Sequence, residues 1–289
     1  MAKFNVEGTE FYCRGKILKT CGLASAWYEP VIDPESVISK LRKHHERLDI
    51  FTFFQRVPDT LPKFKYRSEP YVVAVIQIKD FQTWLRSSVG KKTRQAIRRS
   101  VDKGVSCRVV ELTDEFVDGM TAIYNETPIR QGKKFPHFSD SVEKVRREAA
   151  TFLDRSVFVG AYLDRELVGF MKLVFEEQFT DVLSLLSKQA HRDKAVNNAL
   201  IAHAVDLCAA RGKKYLVYGE LGSGSLDAFK RHNGFAAMEL PRYFVPLSPL
   251  GSLAVRFGLH KRVADRLPGA VRTTFKDVRR WWYEVVVRR

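Results

Sequence analysis

Apolar and polar positions follow a regular order between residues 104 and 248. The pattern predicts a strand, two helices, three strands, a helix, a strand, a helix and closing strands. The predicted strands are Val105–Leu112, Val157–Leu163, Leu167–Phe175, Thr180–Ser187, Tyr215–Tyr218 and Phe235–Val245, and the predicted helices are Thr113–Tyr124, Asp140–Leu153, Ala195–Arg211 and Ser225–His232. A strand meander followed by a βαβ unit predicts an α/β (α+β) fold, in which helices flank a mixed sheet.

The first 103 residues contain fewer predicted elements. Asp33 and Pro34 open a helix that extends to His44. Two strands and two short helices follow, at Ile50–Phe54, Tyr71–Ile78, Phe81–Arg86 and Lys91–Lys103. These elements are too few for a second full copy of the later pattern. The predicted organisation is a truncated N-terminal companion domain (1–103), a main domain (104–248) and a basic helical tail (249–289).

Composition adds a strong positive charge. The chain has 289 residues, with 49 Lys and Arg against 33 Asp and Glu, which gives a net charge of +16. Such an excess attracts phosphates, nucleic acid or an anionic membrane surface, although a merely soluble basic protein is the simpler interpretation.

The four cysteines form no CxxC pair, and no Cys/His cluster has zinc spacing, so no metal site is predicted. No signal-like start and no run of 18 apolar residues occur, which predicts a cytoplasmic protein.

The loop between Ser187 and the helix near Ala195 is a candidate phosphate-binding element. The first turn of a helix presents unpaired N–H groups and a partial positive charge, which suits a pyrophosphate. The candidate donor-binding residues in this segment are Lys188, His191, Arg192, Lys194, Asn197 and Asn198. An ordinary loop with solvated charges is the alternative.

A second polar loop follows the helix that ends at Tyr124. Glu126 is a candidate general base, and Arg130 is a candidate ligand for a carboxylate or phosphate. Thr127 and Gln131 complete the predicted acceptor-binding group. A capped loop in which Glu126 pairs with Arg130 is the alternative. Glu220, at the end of a strand, is a second candidate base, with a turn cap as its alternative.

Three sequence motifs carry a family resemblance. The stretch 183–244 resembles the donor-binding half of GNAT acyltransferases, including a helix that ends in Gly234-Phe235. The pair Phe229-Lys230 and the segment KKTRQAIRRSVDKGV (91–105) resemble the FemAB-like branch, whose members add amino acids to a peptidoglycan precursor from aminoacyl-tRNA. The resemblance covers roughly residues 70–246. It implies that Lys230 lies near the reacting groups.

The resemblance leaves the donor open. Residues 191–196 contain no glycine, whereas the usual GNAT pyrophosphate loop is glycine-rich, and Lys230 stands where many acetyltransferases have a tyrosine. The long helical arm of many Fem proteins has no counterpart in this length. The expected activity is therefore transfer of an acyl or aminoacyl group, from acyl-CoA or aminoacyl-tRNA, to an amine of an envelope precursor or a similar metabolite. The alternative is a non-catalytic module of the same fold that binds RNA or an anionic membrane surface.

The tail offers a second contact with anionic partners. Its apolar residues Val271, Phe275, Val278, Trp282 and Val285 recur at spacings of four and three, with cations between them. The stripe predicts an amphipathic helix that either packs on the protein or lies on an anionic leaflet. The second case would place the protein peripherally at the inner membrane face, where a lipid-linked acceptor would be within reach. The oligomeric state has no signal in the sequence.

Overall fold

The computed structural model describes residues 2–130 and 132–260. The strands are β1 Ala2–Val6, β2 Thr9–Arg14, β3 Thr20–Leu23, β4 Ile50–Phe54, β5 Arg67–Gln77, β6 Val105–Val110, β7 Ile129–Arg130, β8 Lys133–Lys134, β9 Ser156–Leu163, β10 Glu166–Phe175, β11 Phe179–Ser187, β12 Tyr215–Glu220 and β13 Ala236–Pro246. The α-helices are α1 Pro34–Arg42, α2 Phe81–Thr83, α3 Lys91–Asp102, α4 Asp114–Tyr124, α5 Val142–Ala149, α6 Val196–Ala210, α7 Ser225–His232 and α8 Pro249–Arg256. A π-helical segment, Trp84–Ser88, follows α2, and 3₁₀ segments lie at Leu153–Arg155 and Gln189–Lys194.

The described residues divide into two compact units. The terminal unit contains residues 2–72 and 239–260, and the central unit contains residues 73–238 except residue 131. The domain organisation inferred from the sequence, a companion domain and a main domain with a boundary at residue 103, stays a prediction.

The terminal unit is built on a mixed sheet. Strand β2 pairs antiparallel with both β1 and β3, β3 pairs parallel with β4, and β4 pairs antiparallel with β13. Its core contains side chains from the strands and from α1, namely Phe11, Cys21, Leu23, Ile38, Leu41, Leu48, Phe51, Phe53, Tyr243 and Val245. Helix α1 begins at the cap predicted from sequence, because the Asp33 carboxylate accepts a hydrogen bond of 3.1 Å from the Ser36 N–H.

The central unit has a sheet in the order β5-β12-β11-β10-β9-β6. All neighbouring pairs are antiparallel except β11 and β12, which are parallel. Helices α4 and α6 both pack on β10. They cover opposite faces, because Phe170 packs in the cluster under α4 while its neighbour Gly169 contacts Val196 of α6. A Cβ at Gly169 would lie 2.6 Å from Val196 Cγ1, so this close approach requires glycine.

Most predicted elements of the central unit are confirmed, as is the mixed α/β fold with a sheet flanked by helices. Two differences are informative. The helix predicted over Asp140–Leu153 is only α5, because Phe152 has a left-handed φ of 55° and starts a separate 3₁₀ turn. Helix α3 departs from the usual burial of apolar residues, because Thr93 and Ser100 are buried whereas Val101 is 68% exposed.

The start of the predicted tail packs in the terminal unit. In α8, Ala254 and Val255 are buried with Ile50 and Phe244, and the Ser248 hydroxyl donates to the Asp49 carboxylate at 2.6 Å. The predicted amphipathic stripe from Val271 to Val285 lies outside the described residues. No helix within residues 2–130 and 132–260 has the length and apolar character that crossing a membrane would require.

Candidate active site

The parallel strands β11 and β12 share only a short ladder at the centre of the central unit. Phe179, Thr180 and Asp181 pair with Tyr215, Leu216 and Val217, and no further pair joins the two strands, both of which are fully described. Along β11, side chains are buried up to Val182 and then become accessible, with Leu183 41% exposed. The strands therefore part beyond Asp181, and backbone groups of both strands face the opening between them.

Helix α7 carries Lys230 to this opening. Lys230 is only 4% exposed, and its ammonium donates a hydrogen bond of 2.7 Å to the Glu220 carbonyl oxygen at the end of β12. The same nitrogen lies 4.6 Å from the centre of the Tyr218 ring and 4.0 Å from Asp227 Oδ1. The ammonium thus lies against a carbonyl and an aromatic face, with a carboxylate at the outer limit of ion-pair distance.

Burial and nearby carboxylates shift the pKa of Lys230 in opposite directions. Loss of solvent lowers the pKa of Lys230, and the carboxylates of Asp227, Glu220 and Asp181 oppose that shift. Burial also raises the pKa of the Tyr218 phenol to about 12, with Asp181 contributing in the same direction. The site therefore combines an ammonium and a neutral phenol next to an exposed carboxylate, that of Glu220. Asp181, Tyr218 and Asp227 were not predicted from the sequence.

A second group of predicted residues surrounds the loop that follows β11. Glu126 accepts hydrogen bonds from the Gln189 N–H (2.7 Å) and the Ala190 N–H (3.0 Å), and it also pairs with Arg130 at 3.1 Å. Arg130 donates to the Ser187 carbonyl (2.8 Å) and the Ile123 carbonyl (2.7 Å). Burial lowers the pKa of the Arg130 guanidinium, and Glu126 opposes the shift. The pairing anticipated as the alternative is present, and both oxygens of Glu126 are occupied.

The remaining acceptor-binding predictions are local. The Thr127 hydroxyl donates to the Ile129 carbonyl at 3.1 Å within its own turn. Gln131 lies outside the described residues. The structure thus brings Glu126, Thr127 and Arg130 into one loop that is fastened to residues 187–190.

The predicted donor-binding residues fall into different environments. Lys188 and His191 both face the Glu166 carboxylate, and Lys194 lies 3.6 Å from Asp193. The Asn198 amide donates to the Asn233 side chain at 3.0 Å, which links α6 to α7. Arg192 is exposed, and its side chain has no hydrogen bond or ion pair among residues 2–130 and 132–260. Arg192 is therefore the cation in this segment that is fully available to a ligand.

The start of α6 has two uncommon features. Ala195 adopts a left-handed φ of 53°, and no side chain caps the helix. Asn197 Oδ1 and His191 Nδ1 are buried without a hydrogen-bond partner. Unpaired polar atoms are costly, so a polar ligand at this helix start would satisfy groups that the chain leaves open.

Two other features lie away from these residues. His137, Asp140 and Glu148 are close enough to hold a metal, but the Lys144 ammonium lies 2.5 Å from Asp140 and 3.9 Å from Glu148, which makes the group an ion-pair network. A pocket of about 390 Å³ lies beside Trp84, Ser88 and Gly234, and no residue of the predicted site lines it.

Comparison with known proteins rests on structure alone. No protein-family model matches the sequence, and no curated protein matches it. The C-terminal domain of a putative lysylphosphatidylglycerol synthetase from Agrobacterium fabrum is similar with a TM-score of 0.57 and 15% identity, over 88% of this chain and 86% of that one. FemX is similar with a TM-score of 0.57 and 12% identity, over 85% and 86% of the two chains. The chain has a FemAB-like GNAT fold.

A third structure extends the comparison. L-PGS from Bacillus licheniformis is similar to this chain with a TM-score of 0.55 and 14% identity, over 88% of this chain and 86% of that one. The resemblance stated from Phe229-Lys230 and residues 91–105 is therefore confirmed at the level of the fold. Identities this low show the fold and carry the comparison no further.

Proposed function

We propose that this protein is an acyltransferase that moves an acyl or aminoacyl group from an activated donor to an amine of an envelope precursor or a similar metabolite. The observation that carries the proposal is the buried ammonium of Lys230, held at the opening between β11 and β12 on a transferase fold. In acyl transfer, negative charge develops on the carbonyl oxygen, and an oriented cation in a poorly solvated site stabilises it strongly.

The proposed chemistry assigns one role to each group at the opening. The acceptor amine attacks the donor carbonyl carbon, a C–N bond forms, and the carbonyl oxygen becomes an oxyanion beside the Lys230 ammonium. The exposed carboxylate of Glu220 takes the proton that the amine loses. Collapse of the intermediate then breaks the bond to the leaving group, which is the thiolate of coenzyme A or the ribose oxygen of tRNA.

Glu126 and Arg130 support this reaction from a distance in our proposal. Their side chains hold backbone atoms of Ser187, Gln189 and Ala190. They therefore position the loop that precedes α6, rather than contacting the acceptor. The donor phosphates would lie at the start of α6, near Arg192 and the unpaired atoms of Asn197 and His191.

Both donor classes are consistent with these groups. Acyl-CoA and aminoacyl-tRNA each bring phosphates to a helix start, and the exposed cations of α3, Lys91, Lys92, Arg98 and Arg99, favour the larger polyanion. The names of two similar proteins refer to lysylphosphatidylglycerol and to L-PGS, which adds a lipid acceptor to the classes worth testing. The non-catalytic alternative predicts binding of tRNA or anionic lipid without transfer.

The test uses the full-length chain and measures binding and transfer separately. Calorimetry with acetyl-CoA, a longer acyl-CoA, aminoacyl-tRNA and uncharged tRNA identifies the donor, and mass spectrometry follows transfer to amine acceptors and to phosphatidylglycerol vesicles. We expect one activated donor to bind and its acyl group to be transferred. Equal binding of charged and uncharged tRNA, with no transfer from any donor, would establish the non-catalytic alternative instead.

A further inference from the structure

Two of the four cysteines lie opposite each other in the terminal unit. Strands β2 and β3 are antiparallel, and Cys13 is the direct partner of Cys21 in their register. Directly opposite residues of an antiparallel pair project their side chains from the same face of the sheet. The two thiol groups therefore face the same side, towards the core that contains Phe11 and Phe51.

The hydrogen-bond pattern shows which type of pair they form. The Ala24 N–H donates to the Glu10 carbonyl at 2.9 Å, so Glu10 and Ala24 form a hydrogen-bonded pair in the same register. Because the two types of pair alternate along the ladder, Cys13 and Cys21 occupy a non-hydrogen-bonded pair. Such pairs have Cα atoms about 4.5 Å apart, which falls within the range of about 4.4–6.8 Å found for disulfides.

The two sulfur atoms differ in their access to solvent. Cys21 is fully buried, and its thiol donates a 3.5 Å hydrogen bond to the Ile50 carbonyl, whereas Cys13 is partly exposed. The other two cysteines have no such partner: Cys107 is paired with Ala161, and Cys208 lies within α6. An external reagent would react with Cys13 first. Cys21 would then be the neighbouring thiol that displaces the bound reagent from Cys13.

We propose that Cys13 and Cys21 form an intramolecular disulfide when the protein meets a disulfide oxidant such as oxidised glutathione. Cys13 first exchanges with the reagent, releasing one glutathione and forming a mixed disulfide. Cys21 then attacks the Cys13 sulfur, the mixed disulfide breaks, and the second glutathione leaves as a thiol. The cysteine pair loses two electrons and two protons, and the oxidant is reduced to two thiols. The site goes beyond the proposed transferase function and does not depend on it.

The surroundings of the thiols give the reaction a recognisable pH dependence. Burial raises the pKa of Cys13, and burial raises the pKa of Cys21 to about 12. The thiolate is the attacking species, so cross-linking should be slow at neutral pH and should accelerate as the pH rises. A disulfide at this position would close the short loop between β2 and β3 and would stabilise the folded protein by constraining the unfolded chain.

The experiment follows the thiols of the full-length protein in oxidised glutathione at several pH values. Free thiols are then alkylated under denaturing conditions, and unreduced tryptic peptides are analysed by mass spectrometry. Cleavage after Lys3, Arg14, Lys19 and Lys40 places the two cysteines in separate peptides, 4–14 and 20–40. We expect these peptides to be joined, two of the four thiols to be lost, and the thermal midpoint to increase.

Two matched variants complete the test. Cys13→Ser should abolish the cross-link and the thermal shift, whereas Cys107→Ser should leave both unchanged. Circular dichroism establishes that each variant is folded. Four free thiols after treatment, a stable glutathione adduct on Cys13, or a cross-link through Cys107 or Cys208 would each overturn the proposal.

Discussion

Two buried lysines in the central unit have contrasting surroundings. Lys172 on β10 is 2% exposed, and its ammonium donates to the carbonyls of Ala149 and Thr151 and to the Thr151 hydroxyl. Lys230 on α7 is almost as buried but donates a single hydrogen bond among the described residues, to the Glu220 carbonyl. An ammonium has three N–H donors. Lys172 uses all three within the protein, and Lys230 keeps two for another partner.

The two lysines also differ in the number of carboxylates near them. Burial alone lowers the pKa of Lys172, to about 8. For Lys230, burial also lowers the pKa, but Asp227, Glu220 and Asp181 act against it. The chain thus places acids around the lysine with free donors and only neutral oxygens around the lysine whose donors are satisfied. The depth of burial therefore does not separate the two lysines, whereas the number of unused N–H donors does.

The largest expected effect is on catalysis at Lys230. Lys230→Met should keep the fold and lower kcat by about 10²–10³-fold, because the oxyanion loses its charged hydrogen-bond donor. Lys214→Met changes an exposed lysine in the same unit and serves as the control, with unchanged kcat. Steady-state kinetics with the donor identified by calorimetry measures both. Wild-type turnover in Lys230→Met would remove the contrast between the two buried lysines.

Lys172 should show the opposite behaviour. Lys172→Met leaves the carbonyls of Ala149 and Thr151 without their donor, so the free energy of unfolding should fall by about 1–3 kcal/mol. Urea unfolding measures this loss. Because Lys172 has no donor left for a substrate, kcat of the folded variant should equal that of the wild type. A stable variant with lost turnover would assign Lys172 to the reaction.

The next largest effect is expected on donor binding by the loop before α6. The Arg192 side chain has no partner among the described residues, whereas Lys188 pairs with Glu166. The double variant Arg192→Ala/Lys194→Ala should weaken donor binding about tenfold, equivalent to about 1.4 kcal/mol. Lys188→Ala should weaken it less. Calorimetry with acetyl-CoA or aminoacyl-tRNA compares them, and equal affinities for all three proteins would remove the phosphate site from this loop.

The smallest expected effect is a pH dependence of stability. The pKa of Lys172 is about 8 in the folded chain and about 10.4 in an unfolded chain. Between these values the unfolded chain binds more protons, so the free energy of unfolding rises with pH. The urea midpoint of the wild type should therefore rise relative to that of Lys172→Met from pH 8 to pH 10. A constant difference would indicate that Lys172 does not lose its proton in this window.

Local signals in the sequence predicted most helices and strands, because the causes are local. Thr113 caps α4 through the Phe116 N–H, and Gly104 follows α3 with a left-handed φ of 80°. The three strands β1 to β3 were missed. Their stability depends on pairing with each other and with Ile50–Phe54, which no single segment reveals.

The candidate site was predictable only in part. Lys230 was found because Phe229-Lys230 resembles a family motif. Its burial was not predictable from its neighbours, because Arg231 follows it in a basic helix end, whereas Lys172 stands between Met171 and Leu173 in an apolar strand. Asp181 was missed since it stands in an apolar strand, and its proximity to Lys230 depends on the parallel pairing of β11 with β12. The role of Glu126 as a partner of backbone N–H groups 63 and 64 residues away could not be read from its own loop.

The amide pair Asn198–Asn233 has a consequence for how the opening responds to substrate. Asn233 is fully buried: its side chain accepts from Asn198 of α6 and donates to the Phe229 carbonyl of α7, and its carbonyl accepts from the Trp84 indole. Tilting either helix alone would break buried hydrogen bonds, each costly to leave unmade. The start of α6 and Lys230 on α7 are thus held at a constant spacing before any ligand arrives. In the proposed reaction, a donor bound at the start of α6 would therefore require little rearrangement, and only a molecule that spans this distance would engage both ends.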